Sequence, residues 1–393
     1  MSNDIEFLTW LNGGPYHAKH PLDEDHESGA FLMSLKAEIK PSSSNRSSSA
    51  ESRSPSSCAN SSRSLIQALR DARPQVCIGN LFRNEWPPEA IEVLFKFEDF
   101  ARSPKLPKHF WDKISDKYIW KSWNYTESFY RTRDSTQQEI EEEDRLFADT
   151  HNLFLDAQNC AKYPENKIAR LCNAQGLLET ANLHGVDGQL KVTNLTAQSI
   201  ERTLLPQLSG VYSDREIDIG WALNENDPDI REQMKKLKDL QGSLHIGFSP
   251  MNNEYTKEMV LGCGMVISGN DYDITLRAQL FVWLSSSIQN FRRFGAHPEG
   301  QPMPPFVGIL AEGQRWHFYF ACLDPDENVI YIAEGSGCYF QTLDLEQTLI
   351  LVYALRYLGN YLMNTWWPWI YTLMEHNLPN SDLLIADADD AAT

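Results

Sequence analysis

Apolar residues recur along this chain with two periods, and the switches between them mark out its elements. From Thr275 to Phe294 the sequence TLRAQLFVWLSSSIQNFRRF sets Leu276, Leu280, Trp283, Leu284 and Ile288 in line at helical spacing, which predicts a core-facing helix. Ile217–Leu223 (IDIGWAL) and Leu244–Phe248 (LHIGF) are short apolar runs that predict strands. Phe306–Leu310, Trp316–Leu323 and Val329–Ala333 predict a meander that turns at Glu312–Gln314 and at Asp324–Asn328. The segment between the first two strands, Asn224 to Lys238, is charged and predicts loop plus a short helix.

Other helices are marked by their ends. Trp86–Phe100 opens with Pro-Pro, a helix-start signal. Ser135 with Gln138 reads as a capping box, after which Ile140, Phe147 and Phe154 share a face as far as about Cys160. The outer residues of that helix, Glu139 and Glu141 to Asp144, predict a solvated acidic face beside the helix N-terminus, where negative charge is favoured. Glu165–Ala181 predicts another helix. Asp344 with Gln347 caps the last long helix, which Pro368 is expected to interrupt. Ser285 to Ser287 lie in mid-helix as a small-residue packing face.

Composition sets the organisation. The 393 residues are 42 % hydrophobic with 11 Trp, enough for a substantial core. Residues 1–40 form an N-terminal segment with one apolar island, Ile5–Leu11, and residues 41–64 read as a Ser-rich flexible linker. The domain is expected over residues 80–378, and the small, acidic residues 379–393 form a disordered tail. Lys+Arg 35 against Asp+Glu 54 gives a net charge of -19. That disfavours nucleic acid as a partner, because phosphate contacts need a cationic surface, and leaves a protein partner as the natural alternative. Seven scattered cysteines without a C-x-x-C pair argue against a zinc ribbon. With no basic, apolar leader at the N-terminus, they predict an intracellular protein of the cytoplasm or nucleus. Leu349–Met363, broken by Arg356 and Asn360, reads as a buried helix rather than a membrane span.

Common catalytic signatures are missing: the sequence has no P-loop, no G-x-G-x-x-G, no H-E-x-x-H and no G-x-S-x-G. His245 and His317 fall in predicted strands without ligands at metal spacing and read as core or surface histidines.

One pattern does carry a resemblance. Pro304–Trp316 reads PPF-x-G-I-x-x-x-G-x-x-W, and Trp367-Pro368-Trp369 closes the last helix. Together they resemble the C-terminal half of the fungal PD-(D/E)XK nuclease-like proteins, and the similarity spans about Trp86 to Met374. The resemblance implies an α/β, restriction-endonuclease-like mixed sheet flanked by helices, with a helical N-terminal extension. It implies metal-dependent phosphodiester hydrolysis, in which acids at the ends of adjacent strands hold Mg²⁺ or Mn²⁺ and a lysine orients water. By that resemblance Asp218 matches the first acid and the expected metal ligand, Glu165 an acid of the preceding helix, and Gln279 the Gln of a Q-L-x-x-W helix. Each has an ordinary alternative. Asp218 could be a strand-end acid paired with an Arg, Glu165 a helix-start residue after Pro164, and Gln279 a backbone partner across the sheet. Where the family carries E-T-K, this chain reads Ser249-Pro250-Met251. Serine and methionine cannot replace the charge or the proton chemistry of Glu and Lys. Glu254 and Lys257 lie beyond, but at a spacing that would put them on opposite sides of a strand. The expectation is a nuclease-like chain with weak or no activity, the alternative being an interaction or regulatory module on a nuclease fold.

Overall fold

The computed structural model describes residues 66–79, 86, 88–102, 105–118, 130, 135–206, 217–242, 246–269, 274–324, 326 and 328–378. Met1–Ser61 and Ser62–Thr393 separate as two units, and every described residue belongs to the second. The expected N-terminal segment, linker and acidic tail lie outside the described residues.

Seven strands form one mixed sheet: β1 (Gln75–Ile78), β2 (Leu190–Asn194), β3 (Ile219–Leu223), β4 (Leu261–Ser268), β5 (Phe306–Glu312), β6 (Arg315–Asp324) and β7 (Val329–Gln341). Their order is β1-β7-β6-β5-β4-β3-β2. The β1–β7 and β4–β5 pairs are parallel and the others antiparallel. The helices are α1 (Pro88–Arg102), α2 (Lys108–Tyr118), α3 (Gln137–Lys162), α4 (Lys167–Gly185), α5 (Pro228–Gln241), the single turn α6 (Glu254–Lys257), α7 (Ile274–Arg292), α8 (Leu345–Tyr361) and α9 (Trp367–Asn377). Mixed strands between helical layers are the restriction-endonuclease-like α/β arrangement that the sequence implies.

Strand alternation divides the helices between the two faces. On β6, Tyr319 packs edge-on against Phe281 of α7, whereas Phe318 and Phe320 turn the other way onto Phe97 of α1. Leu280, Trp283, Leu284 and Ile288 of α7 are fully buried, as their spacing predicts. Ser285, Ser286 and Ser287 are buried beside them. Gly264 of β4 and Gly308 of β5 stand opposite each other beneath this helix. A Cβ on Gly264 would come within 2.7 Å of the Trp283 ring, and one on Gly308 within 2.9 Å of Leu280.

The capping chemistry is where the sequence put it, or one residue away. Thr136 and Glu139, rather than Ser135 and Gln138, make the reciprocal capping box of α3. Asp344 accepts from the Gln347 N–H at 2.8 Å and starts α8. The charged segment after β3 forms a full 14-residue helix, capped by Asp227 with Pro228 in its first turn. Pro368 does not stop the last helix. One π turn, Leu362–Trp366, joins α8 to α9, and the proline falls in the first turn of α9, where its missing N–H costs little.

Three expectations need correcting. Ile246–Phe248 is not a strand; the strands flanking β3 are β2 and β4, Leu261–Ser268, whose uninterrupted burial hides any strand alternation. The sheet includes β1, ahead of the expected domain start at residue 80. The acidic face of α3 is only partly solvated, since Glu143 is buried and Asp144 meets Lys113 at 2.5 Å and His109 at 3.0 Å. No helix among the described residues is long and apolar enough to cross a membrane.

Two stability tests follow from this architecture. Gly264→Ala should destabilise the fold by about 1–3 kcal/mol, because Trp283 must move from its packed position; denaturant unfolding would read the loss. Glu346, in the first turn of α8, is buried and accepts from the Tyr130 hydroxyl at 2.6 Å. Burial raises its pKa from 4.5 to about 7 despite that hydrogen bond. A carboxyl raised in the folded state stabilises most below its unfolded value, and the benefit is lost as pH rises through the folded one. Thermal stability should therefore fall from pH 5 to pH 8, and Glu346→Gln should flatten that decline.

Candidate functional site

Asp218 stands immediately before β3, held by backbone bonds on both sides. Its N–H donates to the Met265 carbonyl and its own carbonyl accepts from the Leu195 N–H, both at 2.9 Å. The side chain is only 6 % exposed, and both carboxylate oxygens are engaged. Oδ2 accepts from the Ile267 N–H of β4 at 2.8 Å, and Oδ1 lies 2.6 Å from Lys167 Nζ. Lys167 opens α4, whose start is fixed by Asn166, the side chain of which accepts from the Ala169 N–H at 3.0 Å. The helix packs over β2, β3 and β4, so its first turn delivers the ammonium to the end of β3. The expected arginine partner of Asp218 is thus a lysine, and no motif in the sequence marks it. The one available signal is its place in the first turn after Pro164.

The other expected site residues do not join this pair. Glu165 is exposed in the turn before α4, and Gln279 is half-buried on α7. The polar partners of the Asp218 side chain are Lys167 and Ile267, not Glu165 or Gln279. Ser249-Pro250-Met251 does not end a strand beside Asp218. Ser249 is buried, and its hydroxyl donates to the Thr256 carbonyl at 2.6 Å. Glu254 and Lys257 are the ends of the single turn α6, so the strand geometry used to weigh them does not apply. Of the two strands beside β3, the one that meets the Asp218 side chain is β4, which reads LGCGMVIS and contains neither acid nor lysine.

A second polar cluster lies two strands away, on the α7 side of the sheet. Arg277, in the first turn of α7, donates through Nη2 to Glu312 Oε2 at 2.9 Å, with both side chains almost wholly buried. His317 sits between two carboxylates, with Nδ1 2.6 Å from Glu334 Oε1 and Nε2 3.5 Å from Glu312 Oε2. The Tyr319 hydroxyl donates to Glu334 Oε2 at 3.2 Å. Burial alone would raise the Glu334 pKa, but the His317 contact and the nearby Arg277 outweigh it and hold the carboxyl below its ordinary value. Burial would likewise lower Arg277, yet Tyr319, Glu312 and Glu334 together raise it. The cluster is a charge-compensated tie between α7 and the sheet. His317, expected as a core or surface histidine, belongs to this tie.

No group of three or more His, Cys, Asp or Glu side chains is placed to hold a metal ion among the described residues. The sequence profile of a family described as the PD-(D/E)XK nuclease superfamily matches residues 117–367. No curated protein matches the chain.

The Arg277–Glu312 tie makes a direct prediction. Glu312→Gln should cost about 3–5 kcal/mol, because it removes the carboxylate charge hydrogen-bonded to the buried Arg277. Replacing both partners by apolar residues, Arg277→Met with Glu312→Leu, should cost much less than the sum of the single changes. Equilibrium unfolding of the two single variants and the double variant would measure the coupling.

Proposed function

The chain belongs to the PD-(D/E)XK nuclease superfamily, and we propose that it uses this fold as a non-catalytic interaction module in which Lys167 neutralises Asp218 in place of a metal ion. The observation that carries the reading is the environment of Asp218. A divalent ion of the magnesium type needs several oxygen ligands with lone pairs directed at it. Asp218 has one oxygen against an ammonium and the other under a backbone N–H. The end of β4 beside it, Val266-Ile267-Ser268, supplies no second carboxylate and no lysine. The residues present do not fit Mg²⁺ or Mn²⁺, and no hydrolytic step runs through such an ion here.

The net charge of -19 supports a protein partner with a basic surface over a nucleic acid, since opposed potentials speed encounter and like potentials suppress it. The thiols of Cys160, Cys172 and Cys263 support a reducing, intracellular setting.

The purified chain, titrated with Mg²⁺ or Mn²⁺ in a calorimeter, should give no saturable heat, and it should cleave neither duplex nor single-stranded DNA. Lys167→Ala should cost about 1 kcal/mol or less, because the lysine is half exposed and its attraction is screened. Cleavage by the parent chain that disappears in Asp218→Asn would overturn the reading and establish the hydrolytic alternative.

A further inference from the structure

The guanidinium of Arg170 is half-buried and forms no ion pair with an acid among the described residues. Its Nε and Nη1 are out of contact with solvent and have no hydrogen-bond partner. Burial lowers its pKa, and Cys160 and Glu165 offset that only in part. The side chain is wedged against the end of β4. A Cβ on Gly269 would lie 2.5 Å from Nη2 and equally close to the Pro164 carbonyl, so the glycine leaves room for the guanidinium. Arg170 is one helical turn after Lys167 on α4 and therefore on the same side of the helix. Lys167 has Asp218, but no acid among the described residues pairs with Arg170 in that way.

Beside Arg170 a cleft of about 220 Å³ opens between α3, α4 and the ends of β4 and β5. Ala157, Ala174, Ile267 and Ala311 give it apolar walls, and Trp316 gives it an aromatic one. Two amides at its rim are committed elsewhere. Asn173 donates to the Leu153 carbonyl at 2.8 Å, and Gln314 donates to the Thr342 carbonyl at 3.1 Å. Neither relieves the arginine.

We infer that this cleft binds a small molecule with one oxyanion head and a flat apolar body, the head pairing with Arg170 and the body lying along Ile267, Ala311 and Trp316. The physical reason is the asymmetry of buried polar groups. A donor kept from water and left unmatched is costly, and more so when it is charged. A planar guanidinium recovers that cost best from a carboxylate or phosphate that accepts two of its N–H groups together. The volume is below the usual range of about 300–1,000 Å³ for drug-sized ligands, so the occupant is small. This inference does not depend on whether Asp218 supports hydrolysis.

Phenyl phosphate, benzoate and phenol, titrated into the full chain in a calorimeter, separate the possibilities. At least one of the two anions should bind saturably and at least tenfold more tightly than phenol, and their ranking tells phosphate from carboxylate. Arg170→Gln should lose that preference, and Arg170→Lys should keep only part of it, because the charge survives but the paired N–H geometry does not. If Arg170→Gln does not fold, the parent chain decides alone: the preferred anion should raise its thermal midpoint and phenol should not. Absence of binding by both anions, phenol binding as tightly as the better of them, or full anion binding by a folded Arg170→Gln would each overturn the inference.

Discussion

The close approach of α7 to the sheet is the constraint on which much of the structure depends. It exists because Gly264 and Gly308 face each other across the parallel β4–β5 pair, where side chains would collide with Trp283 and Leu280. Glycine in a strand interior is normally unfavourable, since it adds backbone entropy to be lost and offers no side chain to pack. Here the cost is offset by burying the indole of Trp283 and the side chains of Leu280 and Leu284 completely. Burial on this scale is worth about 1.5–3 kcal/mol for each large apolar side chain. The same approach carries Arg277, in the first turn of α7, down to Glu312 at the end of β5. A packing feature of two strands thus determines where a buried ion pair can form.

Three buried acids then meet the cost of losing water in three ways. Glu312 remains beside a buried guanidinium. Asp218 takes one backbone N–H and one ammonium that is itself half in solvent. Glu346, whose hydrogen-bond donor is a neutral phenol, has its pKa raised to about 7 instead. With only a neutral donor beside it, desolvation of Glu346 is not offset by charge, and that carboxyl holds its proton to higher pH. The placement of these acids follows from strand ends and helix starts, where the backbone leaves polar groups to be matched.

Much of the fold was legible in the sequence because its signals are local. The spacing of Leu280, Trp283, Leu284 and Ile288 specifies a helix face, and Asp344 specifies a helix start, whatever surrounds them. The strand β4 was not legible. Buried on both sides, LGCGMVIS shows no alternation, and its glycines resemble loop residues until Trp283 is seen above one of them. LHIGF, an apolar run of strand length, drew the assignment that belonged to β4. Of the candidate site, Asp218 could be singled out by its place in an apolar run, but its partners could not. Lys167 lies 51 residues earlier and the Ile267 N–H 49 residues later, so their meeting is a property of the sheet and of α4 rather than of any motif.

The position of β4 also explains how a superfamily fold can be kept while its chemistry changes, as the proposed function requires. What the fold needs from β4 is mainly backbone: a ladder to β3 and β5, an N–H at Ile267 for Asp218, and a glycine under Trp283. What metal chemistry would need from the same strand is charged side chains near Asp218. The two demands fall on different atoms, so Val266, Ile267 and Ser268 meet the first without meeting the second. With no carboxylate on β4 to repel it, the Asp218 side chain is held by one backbone N–H and an ammonium from α4. On the proposed reading, the electrostatic problem that a metal ion would solve is one that a single lysine solves.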